Sequence, residues 1–300
     1  MTTIVFPGQG SQSLGMAKDF NDNFIEAKQT FEEIEEYTKI DLRKIIFENT
    51  ENKLDLTQYT QICIFASSCA IFKTYVSQND VKDINVMLGH SLGEYTALAC
   101  SNKLTLQSCS LILKKRGELM NFAVAPNKTG MAALIGKDSH HVEKIIKDNN
   151  LDLEIANDNS PMQIVISGMK NEIIKNKDIF LKNEIKRFIP LNVSAAFHSH
   201  FMLKAQQNLS EDIENLNFSE NNIKIISNYD ANIHLDTLSI KNSLKNQMAN
   251  KVRWTQSIKK LEEIGEKNIL EIGPNKILSG LINRISSKFD IKSVNQISDI

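Results

Sequence analysis

The chain has 300 residues, enough to bury roughly three-quarters of the surface an unfolded chain of this size exposes. Hydrophobic residues make up 41%, charged residues 24%, and the formal net charge is −1. That balance is ordinary for a globular protein and gives no basic bias, Lys/Arg-rich block or aromatic–basic interleaving for nucleic acid. No apolar run approaches the roughly 20 residues a bilayer span needs, and the N-terminus, Met1 to Pro7, lacks the basic and apolar regions of a signal peptide. Cys63, Cys69, Cys100 and Cys109 form no C-x-x-C pair and no zinc-like spacing with histidine. Buried reduced thiols and a reducing cytoplasm are the expectation.

In chain order, residues 3–6 read as a short buried strand ended by Pro7 and Gly8. Residues 15–50 are mostly helical in pattern, and 60–77 form a long apolar helix. A strand at 84–88 leads into a tight turn and a helix at 92–100, followed by a helix at 106–122 carrying Lys114-Lys115-Arg116. After Pro126 and Asn127 the pattern changes. A strand at 131–135, a helix at 142–148, strands at 153–156 and 163–166 joined by a loop containing Asn157, Asn159 and Pro161, a helix at 171–181 and a strand at 185–193 follow the order βαββαβ of a ferredoxin-like unit. The predicted organisation is therefore a large α/β domain over 1–127 and 198–300, hydrolase-like with a mostly parallel sheet, and a small ferredoxin-like α+β subdomain inserted at 128–197. The large domain resumes with a helix at 202–215, a strand at 223–227, a helix at 240–249, a strand at 268–272 and a final helix after Gly273-Pro274. There are no repeats and no low-complexity segments.

The most informative stretch is Gly89-His90-Ser91-Leu92-Gly93-Glu94. It holds G-x-S-x-G between a strand and a helix, the setting of a nucleophile elbow. The cramped turn needs small residues two before and two after the serine, and Gly89 and Gly93 supply them. The backbone N–H of Leu92, at the helix start, is placed where an oxyanion would form.

A serine hydroxyl needs a base, and the chain has six histidines. His90 is adjacent to Ser91, and neighbouring side chains at a tight elbow diverge. His140, His141 and His234 lie in polar, solvated-looking stretches. His198 and His200 follow a strand where the chain re-enters the large domain; the residues alone leave both open, with a preference for His198. The acids Asp138, Asp148 and Asp158 lie between Ser91 and His198, in hydrolase order for a triad. The loop Phe6-Pro7-Gly8-Gln9-Gly10-Ser11-Gln12 follows the first strand. Ser13 stands where a dinucleotide fingerprint needs glycine, and no Gly-Lys-Ser/Thr follows, so both phosphate-loop motifs are excluded. The loop can instead offer a second oxyanion N–H. Arg116, at the edge of a helix's inner face, reads either as a solvated arginine or as a clamp for a carboxylate.

These motifs, with Asn159-Ser160-Pro161, Gln163 to Gly168, Phe197-His198-Ser199, Gln247, Val252-Arg253-Trp254 and Glu271-Ile272-Gly273-Pro274, stand in the order found in the malonyl-CoA:acyl carrier protein transacylases of type II fatty-acid synthesis. The chain resembles that family from Phe6 to the helix holding Arg284. The resemblance implies a malonyl transfer through Ser91 as nucleophile, with His198 as general base and acid and the amides of Gln9 and Leu92 as the oxyanion hole. It implies Arg116 as partner of the malonyl carboxylate, left unpaired by an acetyl group, and Phe197 as the residue that limits room for an α-methyl. It gives Gln247 a backbone carbonyl that orients the histidine in place of a triad acid. Acyl carrier protein and malonyl-CoA are the implied partners; no metal or prosthetic group, no nucleic acid and no membrane are expected, and a monomer is. The chain departs from the family in having Gln61-Ile62-Cys63 for Gln-Pro-Ala and Lys251 for proline, which puts local helix starts and loop shapes in question. The alternative is a serine thioesterase or hydrolase using the same elbow. A scaffold without catalysis would have lost Ser91 or His198, and the start at Met1 with no linkers favours a free-standing enzyme over a piece of a synthase.

Overall fold

The computed structural model describes residues 1–81 and 83–300. The chain begins with β1 (Thr2–Phe6), passes through α1 (Lys18–Asn23), α2 (Ile25–Thr38) and α3 (Leu42–Phe47), and enters the long helix α4 (Thr57–Gln78). Next come β2 (Ile84–Gly89), α5 (Gly93–Cys100) and α6 (Leu106–Asn121). A second unit holds β3 (Thr129–Ile135), α7 (Ser139–Asp148), β4 (Leu153–Ser160), β5 (Gln163–Met169), α8 (Lys170–Lys175), α9 (Lys177–Lys182) and β6 (Arg187–Pro190). The chain then returns through α10 (Leu203–Glu214), β7 (Lys224–Ile226), β8 (Ile233–His234), α11 (Thr237–Gln247), α12 (Trp254–Glu263), β9 (Asn268–Ile272), α13 (Ile277–Ile285) and β10 (Asp290–Val294).

Two sheets result. The larger runs β10-β9-β1-β2-β7-β8, parallel throughout except for the antiparallel edge strand β8. Its central strands are buried on both faces, as a parallel sheet flanked by helices must be, and their side chains alternate between two cores. Ile4, Phe6 and Met87 pack with α4, α5 and α6 on one face. Val5, Val86 and Leu88 pack with Trp254, Ile258, Leu261 and Leu281 of α12 and α13 on the other. The smaller sheet is antiparallel, in the order β4-β5-β3-β6. Its outer face packs on α7 through Leu134, Val142, Ile145 and Ile166, and its inner face turns Met131, Ala133 and Val165 toward the large unit.

Three elements differ from the sequence reading. Residues 157–160, expected in a loop, extend β4, and the Asp158 and Asn159 side chains find protein partners rather than water. The helix expected at 171–181 is broken at Asn176, whose side chain turns back to bond the carbonyl and carboxylate of Glu172. The last strand of the small unit is only four residues, Arg187–Pro190. The reading did not include α12, β8 or β10.

Candidate active site

The elbow at the end of β2 is built as the glycine spacing requires. Ser91 has φ +52°, a left-handed conformation that costs a non-glycine residue energy. A Cβ on Gly89 would lie 2.0 Å from the Gly93 carbonyl carbon, and one on Gly93 would lie 2.3 Å from the Phe6 carbonyl oxygen. The strained turn is held from the side by Asn228, which follows β7. Its Oδ1 accepts the Ser91 N–H at 2.6 Å and its Nδ2 donates to the Gly89 carbonyl at 2.7 Å.

Ser91 Oγ lies 2.9 Å from His198 Nε2. His198 sits in the loop after β6, also with positive φ, +55°. Its Nδ1 is 3.1 Å from the carbonyl oxygens of both Gln247 and Asn250. Carbonyls only accept, so Nδ1 carries the proton and Nε2 is left as the acceptor for the serine hydroxyl. Burial, helped by the neighbouring Arg116 cation, pushes the imidazole pKa down to about 3. The ring is therefore neutral at ordinary pH.

Arg116, on α6, is 1% exposed. Its Nη2 donates to Ser91 Oγ at 3.0 Å and to Gln247 Oε1 at 2.9 Å; its Nη1 donates to Gln61 Oε1 at 2.5 Å. Its Nε has no partner, and the guanidinium lies 5.5 Å from the Tyr95 ring centroid. Burial lowers its pKa, though a guanidinium stays charged in proteins. Among the described residues no acidic side chain pairs with it, so it is a buried cation held by neutral acceptors. An acyl group without a carboxylate would thus leave it better satisfied than the sequence reading supposed.

These groups close one end of a cavity of about 270 Å³. Met120, Met131, Val165, Leu191, Val193 and Phe197 give it apolar walls. Phe197 is buried and its carbonyl accepts from Ser167 Oγ at 2.6 Å. Gln9 and Leu92 line the same cavity, and among the described residues neither backbone N–H has a partner in the chain. The Gln9 side chain donates to Thr57 Oγ1.

The other candidates fall elsewhere. His90 points away from Ser91, with Nε2 2.8 Å from Asn159 Oδ1. His200 is exposed and paired with Glu154. His140 is exposed, and His141 Nε2 meets the Asn183 carbonyl. His234, read as solvated, is instead half-buried in β8 against Asp230, which raises its pKa. Asp138 caps α7 through the His141 N–H. Asp158 accepts from Thr255 Oγ1 at 2.6 Å and Gln256 Nε2 at 3.0 Å. Neither of these, nor Asp148, is bonded to His198, whose Nδ1 partners are carbonyls. Sequence reasoning missed Gln61, Asn228 and Asn250, whose signals are single amides in unremarkable contexts, and gave no separate role to Glu94.

The family model for the acyl transferase domain matches residues 3–298. The malonyl CoA-acyl carrier protein transacylase of Bacillus subtilis is 35% identical over 296 residues, covering 97% of this chain and 92% of that protein. The polyketide biosynthesis malonyl CoA-acyl carrier protein transacylase PksC of the same organism is 38% identical over 287 residues, covering 95% and 97%. Among solved structures, a malonyl-transacylase in complex with its type II PKS acyl-carrier protein superposes with a TM-score of 0.95 at 33% identity, covering 99% of this chain and 97% of that one.

Proposed function

Since this chain belongs to the acyl transferase domain family, we propose that it carries a malonyl group from malonyl-CoA to the phosphopantetheine thiol of acyl carrier protein through an ester on Ser91, supplying fatty-acid elongation. The observation that carries this reading is a single oxygen, Ser91 Oγ, within hydrogen-bond reach of both an imidazole acceptor and a buried guanidinium. The first serves nucleophilic attack; the second suits an acyl group that ends in a carboxylate.

Ser91 Oγ attacks the thioester carbonyl while His198 Nε2 takes its proton. The N–H groups of Gln9 and Leu92 receive the oxyanion, a contribution worth roughly 10²–10³ in rate per donor. The tetrahedral intermediate collapses, the C–S bond breaks, and His198 returns the proton to the departing CoA thiolate. The carrier's thiol then repeats the sequence in reverse, with His198 as its base. Arg116 holds the malonyl carboxylate, Phe197 narrows the space beside its α-carbon, and the Gln247 carbonyl keeps the imidazole in its working tautomer. CoA is a substrate, the phosphopantetheine belongs to the partner, and this chemistry uses no metal or prosthetic group. Residues 128–197 act as a small subdomain between the two parts of the large domain, 1–127 and 198–300, a division supported by the two separate sheets. Four free buried cysteines support a reducing cytoplasm, and we assign the enzyme as a monomer.

The test is incubation with malonyl-CoA with and without a thiol acceptor. Transfer requires one burst of CoA release per enzyme and a stable malonyl adduct when no acceptor is present, absent in Ser91→Ala. Continuous CoA release without acceptor would make the protein a hydrolase. An adduct that persists in Ser91→Ala would remove the nucleophile.

A further inference from the structure

Glu94 is an acid buried directly behind the nucleophile, 1% exposed, and the transfer steps above give it no part. Its Oε2 accepts from Gln247 Nε2 at 2.7 Å and from the Asn228 N–H at 3.1 Å. Asp230 and His234 lie nearby. Gln247 is the more consequential contact. Its Nε2 also donates to the Ser91 carbonyl at 3.0 Å, its Oε1 accepts from Arg116, and its own carbonyl accepts from His198 Nδ1.

A primary amide is nearly symmetric in shape, with a donor at one end and an acceptor at the other. Arg116, which only donates, calls for Oε1, and at the opposite end two acceptors, the Ser91 carbonyl and Glu94 Oε2, call for the NH₂. The reverse orientation would set NH₂ against Arg116 and oxygen against oxygen at Glu94. Burial raises the Glu94 pKa to about 7. Because Oε2 already accepts two N–H groups, a proton is better placed on the other oxygen, which leaves Oε2 free to go on accepting.

We propose that Glu94 is a positioning residue of the transfer reaction: by holding the Gln247 side-chain amide it sets the Arg116 clamp and steadies the residue whose backbone carbonyl receives His198 Nδ1. The proposal rests on the roles given above to Ser91, His198 and Arg116. It predicts that two unlike properties fall together when the acceptor is removed. One is preference for malonyl over acetyl, which reads Arg116. The other is labelling of Ser91 by phenylmethylsulfonyl fluoride, an uncharged reagent that offers Arg116 no carboxylate and reads the reactivity of Ser91 beside His198.

The experiment compares Glu94→Met, which keeps length but cannot accept, with Glu94→Gln, whose amide oxygen is held toward the Asn228 N–H. Glu94→Met is expected to lose about 10²-fold in kcat/KM for malonyl transfer, the scale of a small misplacement at a reacting centre, with slower labelling and weaker malonyl preference. Glu94→Gln is expected to restore all three. A folded Glu94→Met with unchanged labelling and preference would overturn the proposal, as would a Glu94→Gln no better than Glu94→Met. If methionine prevents folding, Glu94→Asp withdraws the carboxylate by one methylene; joint loss of both readouts supports the proposal and wild-type behaviour overturns it. An adduct mapped away from Ser91 in the wild-type enzyme would instead remove the underlying assignment.

Discussion

Ser91 Oγ is shared by two groups that pull in opposite directions. His198 Nε2 is placed to take its proton, and Arg116 stabilises whatever negative charge develops there. The cation also holds the imidazole pKa low. The sign of the consequence is clear: a base whose pKa lies near 3 is already neutral far below pH 6.5, so acidifying from about pH 7.5 to about pH 5.5 does not remove it. The acylation burst measured across that range should hold; a fall with a midpoint near the ordinary histidine value would contradict the depressed pKa. At Arg116 the resting partners are amide oxygens and a hydroxyl, so the gain from a substrate carboxylate is that of a better hydrogen bond to a charged group, about 1.5–3 kcal/mol. Arg116→Ala should therefore lower the kcat/KM ratio of malonyl- to acetyl-CoA by about 10- to 100-fold. An unchanged ratio would show that selectivity resides elsewhere. Ser91 was legible because its turn demands glycines at fixed places. His198 against His200 was not, because two loop histidines two positions apart differ only in where the fold aims them.

At the scale of elements, the elbow is a three-way contact between β1, β2 and the start of α5. Gly93 meets the Phe6 carbonyl so closely that no Cβ fits. Gly93→Ala must push β1 from α5 or unwind the helix start. A loss of about 1–3 kcal/mol or more is expected from such overpacking, read as a lowered Tm together with loss of Ser91 labelling. A stable, active Gly93→Ala would mean the elbow is looser than drawn. Helix α12 escaped the sequence reading although its buried Trp254, Ile258 and Leu261 recur at helical spacing; the charged residues Lys259, Lys260, Glu262 and Glu263 around them masked a narrow stripe. The end of β4 escaped for a different reason. Asp158 and Asn159 look like loop residues, but one bonds Thr255 and Gln256 and the other bonds His90. Buried polar strands of this kind are invisible until the partner side chains are known.

At the scale of the molecule, the two sheets are joined at a seam. The Val252 N–H donates to the Ala156 carbonyl at 2.8 Å and the Asp158 N–H to the Val252 carbonyl at 2.9 Å, a short parallel bridge from β4 to the segment before α12. Thr255 Oγ1 adds bonds to the Asp158 carboxylate and carbonyl. Thr255→Val should cost about 1–3 kcal/mol by leaving buried acceptors unpaired, and should slow the acylation burst because the seam adjoins Asn250. A variant that loses stability while acylating normally would separate the two. The βαββαβ order was readable from the periodicity of residues 129–190, whereas the seam was not, since it forms between segments nearly a hundred positions apart.

Asn250 hands its carbonyl to the imidazole only two residues before Val252 enters that seam. Prying the halves apart like a hinge would therefore take away one of the two carbonyls that hold the His198 ring. A seam kept closed in this way favours end-on entry of a long thioester arm, along the apolar walls that Met131, Val165, Leu191 and Val193 give the cavity.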